Sequence, residues 1–344
     1  MKKKIKIVVL MGGKSPEHEV SIISGKEVVK NLDSKKYEVF PLVISKDGLR
    51  WRLTDIKSIL SISNPLSLKG TSKEIILHEE TSIQGVNSIP QGKVDLVFIA
   101  MHGPFGEDGK IQVLLDTLGI KYTGSKVAAS AVGMDKIIFR KVMIAENMPI
   151  PRYTVVNRKD KNINISQLGN PPYFVKPYDQ GSSVGASLVK KIGDLKKALN
   201  LAFKFSDIAL IDEYIEGMEV TCAVLGNENL FALPVIEIIP KKGEFFDYES
   251  KYSESGADEI VPARISKKLT KIVQELSIKV HQIIGAKGFS RVDFILKENK
   301  YPVILEINTI PGLTLMSLLP KAAKAYGLSY SELLDRIIKY SVYE

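Results

Sequence analysis

The sequence predicts an α/β protein that becomes α+β in its C-terminal parts, and three observations carry that prediction. Residues 5–11 are a short apolar run that reads as a strand, and residues 94–100 are a continuous one, suited to a parallel strand buried on both faces. Helical patterns alternate with the strands through the first third of the chain. From residue 217 onward strands come in succession, closing with a hairpin and two helices. At 344 residues the chain is long enough for two to three domains of roughly 150 residues each.

Each element has a local reason. The first strand ends in Gly12-Gly13, and Ser15-Pro16-Glu17 then opens a helix through Val20, Ile23, Val28 and Leu32, because proline and an acid suit a first helical turn. Residues 37–44 form a second strand. Residues 45–91 are polar, rich in Ser and Lys, and show no clear period; Trp51 lies among them. After Thr123-Gly124-Ser125 the pattern is helical over 126–147, until Pro149 and Pro151 interrupt it. A strand at 173–176, a Gly/Ser loop, a strand near 187–189, a helix from Asp194 and a strand ending near Glu213 make one β-α-β unit. Strands at 219–225 and 230–239, a Tyr-containing polar stretch at 240–263, an amphipathic helix over 266–284, a hairpin over 289–308 and two helices complete the chain.

Composition removes several functional classes. Lys and Arg number 48 against 39 Asp and Glu, a formal charge of +9. That excess is compatible with nucleic acid, an acidic membrane or small polyanions. The basic residues are dispersed, without the basic-aromatic clusters of a nucleic-acid surface, so no nucleic-acid partner is expected. Cys222 is the single cysteine, which excludes an internal disulfide and a cysteine-rich zinc site and fits a reducing cytoplasm. The basic start is followed by too short an apolar stretch for a signal peptide, and no run approaches the roughly 18 apolar residues of a membrane span. Cys222, in an apolar strand, reads as a small core residue. His18, His78 and His281 lack metal-site spacing and read as packing or surface residues.

Two glycine-rich turns differ in meaning. Gly12-Gly13-Lys14-Ser15 is not a Walker A loop, because Val8 stands where the first glycine is required. Gly181-Ser182-Ser183-Val184-Gly185 follows a strand whose only charge is Lys176. Small residues and hydroxyls let backbone N–H groups approach phosphate oxygens, so this loop with its strand-end lysine suits a phosphate.

The hairpin concentrates the chemistry. A two- or four-residue turn would set Arg291 opposite Glu306 and Asp293 opposite Ile304. Alternation then puts Arg291, Asp293, Glu306 and Asn308 on one face and Val292, Phe294, Leu305 and Ile307 on the other. Two carboxylates and an amide are oxygen ligands suited to magnesium shared with phosphates. The Pro311-Gly312 turn that follows would present backbone N–H groups beside Arg291, where they could stabilise an oxyanion.

Taken in order, Gly12-Gly13-Lys-Ser-Pro-Glu17-His18-Glu19-Val20-Ser21, His102-Gly103-Pro-Phe-Gly106-Glu107-Asp108-Gly109, Met134-Asp135-Lys136, Val175-Lys176-Pro177, Gly181 to Gly185, Tyr248-Glu-Ser-Lys251-Tyr252, Arg291-Val-Asp293 and Leu305-Glu306-Ile-Asn308-Thr-Ile-Pro311-Gly312 resemble the motifs of the D-alanine–D-alanine ligases of the ATP-grasp superfamily. The resemblance spans nearly the whole chain. It implies a three-domain ATP-grasp fold: a Rossmann-like substrate domain (1–124), a central ATP-grasp subdomain (125–212) and a C-terminal subdomain with metal and substrate sites (213–344). It also implies that two D-alanines and ATP give D-alanyl-D-alanine, ADP and phosphate for peptidoglycan, in a cytoplasmic homodimer. By the family pattern ATP would meet Lys136, Lys176, Gly181, Ser183, Glu213, Ile215 and Glu219. Two Mg2+, or Mn2+, would sit on Asp293, Glu306 and Asn308. His102, Lys251, Ser317 and Leu318 would bind D-alanine, and Glu17, Ser182, Tyr252, Arg291 and Gly312 would act in catalysis. Tyr252 favours D-alanine as second substrate; a ligase forming the D-lactate ester, or another ATP-grasp carboxylate-amine ligase, is the alternative.

Overall fold

A computed structural model describes residues 3–62, 75–76, 94–181, 183–241 and 257–343. They form three sheets. The first has a parallel centre in which β1 (Ile5–Gly12) runs between β2 (Tyr37–Ile44) and β5 (Leu96–Ile99). β3 (Arg50–Leu53) and β4 (Ile75–Ile76) extend it antiparallel beyond β2. Residues 7–11 of β1 are buried, as a strand covered on both faces requires. Among its described residues the stretch with no period therefore contains two short strands and a helix, α2 (Ile56–Leu60), and Trp51 is buried in the first core. A single tryptophan alternating with Arg50 and Arg52 gave too short a pattern to show this.

Helix α1 (His18–Asn31) starts where Ser15-Pro16-Glu17 predicts, with Glu17 at its N-cap. The pattern over 126–147 resolves into α4 (Val127–Met134) and α5 (Lys136–Ala145), following α3 (Lys110–Thr117). The break falls at Asp135, whose carboxylate accepts from the N–H groups of Ile137 and Ile138, so the new helix is capped by a side chain. The break aims Lys136 from a helix start.

The second sheet is antiparallel, with β6 (Tyr153–Asn157) and β7 (Tyr173–Pro177) flanking β9 (Ile208–Glu213) and β8 (Ser187–Val189) beyond β7. Helix α6 (Leu195–Ala202) buries Leu195, Ala198, Leu199 and Ala202 against it. The third sheet centres on β10 (Gly217–Gly226). This strand pairs with β11 (Phe231–Ala232), β12 (Ile236–Pro240) and β14 (Gly288–Lys297); β13 (Ala257–Ile260) lies beyond β12 and β15 (Tyr301–Asn308) beyond β14. Ser266 caps α7 (Lys267–Ile283), which packs on this sheet with residues of α4 and α5. Helices α8 (Leu318–Tyr326) and α9 (Tyr330–Val342) return to the first core, where Tyr37 donates to Asp335 at 2.8 Å.

The hairpin register differs from the expected one. Its loop has three residues, Lys297 pairs with Tyr301, and a bulge at Asp293/Phe294 places Asp293 opposite Glu306 and Arg291 opposite Asn308. Glu298 and Asn299 adopt left-handed backbone, which lets so short a loop close. Because of the extra residue Leu305 leaves the expected apolar face and lines the cleft, while Ile304 joins Phe294 in the core.

Candidate active site

A cleft lies between the second and third sheets. One wall carries Phe174, Lys176, Asp212 and the 213–215 segment. The other carries Glu219, Asp293, Ile295, Leu305 and Glu306, with Lys136 reaching in from α5 and Ser183 from the Gly/Ser loop. Of the seven residues expected at ATP, all but Gly181 line this cleft, and Gly181 adjoins it beside Gln180. Its apolar part (Phe174, Ile215, Ile295, Leu305) suits a flat ring, and its charged end suits phosphates.

On the third sheet, register builds the polar face in rows. Thr221, Asp293 and Glu306 are direct neighbours across β10, β14 and β15, and Ala223, Arg291 and Asn308 form the next row. Asp293 accepts from Arg291 Nε at 2.8 Å and Nη2 at 2.7 Å, from Thr221 Oγ1 at 2.6 Å and from Asn308 Nδ2 at 3.1 Å. Glu306 lies 3.4 Å from Lys136 Nζ, which also donates to the Gln180 carbonyl at 2.7 Å. Among the described residues no three His, Cys, Asp or Glu side chains gather as a metal site. The set that could hold a cation is therefore two carboxylates and the Asn308 amide. All three offer oxygen, and both carboxylates are already drawn to cationic side chains, so the donor chemistry fits a hard divalent ion.

Glu17 belongs to the first domain yet stands at the edge of this cleft. It is 6% exposed, and a Cβ added to Gly181 would lie 2.8 Å from its Oε2, one added to Gly103 only 2.5 Å. A side chain at either glycine would force that carboxylate or the facing backbone to shift, and Gly103 has in addition a left-handed backbone. Beside it His102 is fully enclosed, with Nε2 2.7 Å from Ser24 Oγ, Nδ1 3.1 Å from the Ile310 carbonyl and 3.6 Å from Glu107. Burial, with the Glu17 charge nearby, pushes the Glu107 carboxyl up, His102 opposing. His18 is buried too, its Nδ1 2.9 Å from the Gly13 carbonyl, which accounts for it as a packing residue.

Gly312 is pressed against Ser317, since a Cβ there would lie 2.6 Å from Ser317 Oγ. That hydroxyl accepts from Thr314 N–H at 3.1 Å rather than capping α8, which leaves the first N–H groups of the helix, from Leu318 on, without a side-chain cap. Ser182, Lys251 and Tyr252, with Tyr248 and His78, lie outside the described residues. Cys222 is a core residue, its thiol pushed up to about 12 by burial.

Several residues were not singled out from sequence. Asp212 accepts from Arg140 and Lys176 at the cleft wall; burial works against its charge, yet these two cations hold its carboxyl below the usual range. Burial lowers the Lys176 ammonium, with Asp212 opposing. Glu213 is engaged by Arg152 through backbone N–H and Nε, each at 2.8 Å; burial opposes the charge but these bonds keep the carboxyl low. The signal for Arg140 and Thr221 was polar residues inside apolar stretches, and it is weak without a partner in view.

Two sheets closing on a lysine- and carboxylate-lined cleft, with an α/β domain lending a glutamate to its edge, define an ATP-grasp fold. A sequence profile described as the D-ala D-ala ligase N-terminus matches residues 6–125, and one described as the D-ala D-ala ligase C-terminus matches residues 142–339. The chain is 38% identical over 346 residues to a D-alanine–D-alanine ligase of Halothermothrix orenii, covering 98% of each. It is similar to the structure of VanG D-Ala:D-Ser ligase from Enterococcus faecalis (TM-score 0.82, 31% identity, 99% of this chain and 100% of that one). It is also similar to a D-alanine–D-alanine ligase from Bacillus anthracis complexed with ATP (TM-score 0.73, 29% identity, 98% and 97%). The chain belongs to the D-alanine–D-alanine ligase family and is an enzyme. Among the described residues no helix is long and apolar enough to cross a membrane.

Proposed function

We propose that this enzyme joins two D-alanines into D-alanyl-D-alanine while ATP becomes ADP and phosphate, a step that supplies peptidoglycan synthesis. The observation that carries the proposal is the meeting of Glu17 with Gly103 and Gly181 at the edge of the Lys136/Lys176 and Asp293/Glu306 cleft. A buried carboxylate there suits the ammonium of an amino acid whose own carboxylate points at a nucleotide's terminal phosphate.

The roles follow from charge. The 213–215 segment and the apolar wall would hold adenine, the Glu213 side chain being engaged by Arg152. Glu219 would reach the ribose. Lys136, Lys176 and the loop at Gly181 and Ser183 would hold the phosphates. Asp293, Glu306 and Asn308 would hold two magnesium ions, or manganese; such ions supply charge neutralisation between phosphoryl and carboxylate oxygens. A carboxylate is a poor acyl donor, so the first D-alanine's carboxylate oxygen attacks the γ-phosphorus. The bond from phosphorus to the bridging oxygen breaks and ADP departs, leaving D-alanyl phosphate. Glu17 and His102 orient that substrate. The second D-alanine, its carboxylate on Lys251, Ser317 and the Leu318 N–H, attacks the acyl carbon through its neutral amine, and phosphate leaves as the amine loses a proton. Arg291 and the Gly312 N–H face the tetrahedral oxyanion. Ser182 and Tyr252 would complete the catalytic set, and a loop closed over the acyl phosphate keeps water away. The division at residues 124 and 212, a homodimer and a cytoplasmic location belong to the same proposal.

Phosphate release with ATP, magnesium and a panel of D- and L-amino acids plus D-lactate tests this. The expected signal requires D-alanine alone; its absence, or a stronger signal with D-serine or D-lactate as second substrate, overturns the assignment.

A further inference from the structure

Arg140 is the largest fully buried side chain of the described residues, and no step proposed above uses it. It lies four residues after Lys136 on α5, so both point to the same side of that helix. Its two terminal nitrogens grip the Asp212 carboxylate, Nη2 at 2.7 Å from Oδ2. The same Oδ2 lies 3.0 Å from Lys176 Nζ, at the cleft. Two cations thus share one carboxylate, and the cluster carries a net charge of +1.

The arrangement is costly as mere scaffolding. Desolvating a guanidinium and a carboxylate is often no better than apolar packing of similar volume. The helix around it already packs Phe139 and Met143, and Arg140 Nε has no hydrogen-bond partner although it is buried. With Asp212 facing Lys176 alone, the pair would be neutral, and the lysine would offer little field to an anion.

We propose that Arg140 is a positioning residue for the nucleotide site: it takes up the charge of Asp212, so that Lys176 presents an uncancelled cation to the phosphates of a nucleoside triphosphate. This rests on the nucleotide reading of the cleft. The test is calorimetric binding of a non-hydrolysable ATP analogue, with KM for ATP and D-alanine and thermal melts, on the parent, Arg140→Met, Arg140→Lys and the double variant Arg140→Met/Asp212→Asn. Arg140→Met is expected to weaken analogue binding and raise KM for ATP by about 10–100-fold with KM for D-alanine unmoved, since the cluster becomes neutral. Arg140→Lys keeps the charge and stays within about threefold of the parent, and the double variant recovers most of the affinity because Lys176 is again uncancelled. Parent-like binding in Arg140→Met, a double variant as weak as the single, or both KM values moving together with the melting temperature overturns the proposal. A parent that fails to bind the analogue overturns the reading of the cleft and this proposal with it. A binding parent beside an unaltered Arg140→Met overturns this proposal alone.

Discussion

Gly181→Ala adds one methyl group at the point where the central loop meets the first domain. That Cβ would lie 2.8 Å from Glu17 Oε2, about 0.6 Å inside the 3.4 Å at which ordinary contact begins. Gly181 has no left-handed backbone, so alanine is not strained by its own conformation. Glu17 Oε2 ends a flexible side chain, but the residue is only 6% exposed and Gly103 also borders the carboxylate, which leaves it little free space to turn into. Either the loop lifts or the carboxylate turns, and a displacement of this size at a positioning group costs on the order of 10- to 100-fold in rate. We expect kcat/KM for the first D-alanine to fall by that factor, about 1.4–2.7 kcal/mol of transition-state stabilisation. The melting temperature should stay within about 2 °C, because no core contact is lost. The assay is D-alanine-dependent phosphate release beside a thermal melt. Gly193→Ala is the control, since nothing lies within 4 Å of a Cβ there. Turnover of Gly181→Ala within about twofold of the parent would refute the proposed coupling between the loop and Glu17.

Three further outcomes follow from the same geometry. Glu306→Gln removes one of two carboxylates available to a cation and the partner of Lys136; D-alanine-dependent phosphate release should vanish while the far-UV spectrum is unchanged, and near-normal turnover would sink the metal assignment. Thr221→Val removes the 2.6 Å bond to Asp293 in a buried row; a hydrogen bond to a charged group is worth about 1.5–3 kcal/mol, so urea unfolding should show a loss of that order. Burial, helped by Lys287, holds the His281 imidazole down to about 4 from 6.5. The unfolded chain then binds the proton first, so this contribution to stability is complete above pH 6.5 and is lost as pH falls towards 4, by about 3 kcal/mol. Denaturant titrations across that window should show a smaller loss in His281→Gln than in the parent.

Much of the site could be read along the chain because its parts are local. Glu17 starts a helix announced by Ser15-Pro16, Lys176 ends a strand, and Asp293, Glu306 and Asn308 sit at alternating positions of one hairpin, where period-two geometry puts them on one face. Leu305 could not be read, since the bulge that turns it into the cleft depends on how β14 pairs with β10 as well as β15. The break between α4 and α5 was hidden because both halves carry apolar residues at helical spacing. Arg140 and Thr221 gave little signal, because a polar residue in an apolar stretch acquires meaning only from its partner.

By itself the sequence determined the types of the strongly periodic elements, the residues available for each task and the family to which the chain belongs. Those follow from local periodicity, capping and the order of short motifs. Tertiary structure alone decided that Glu17 meets Gly103 and Gly181, that Asp212 stands between Arg140 and Lys176, and that Asp293 faces Glu306. Contacts between residues so far apart in sequence are set by which sheets pack together and in what register. That choice minimises the free energy of the whole fold, and no short stretch of chain encodes it.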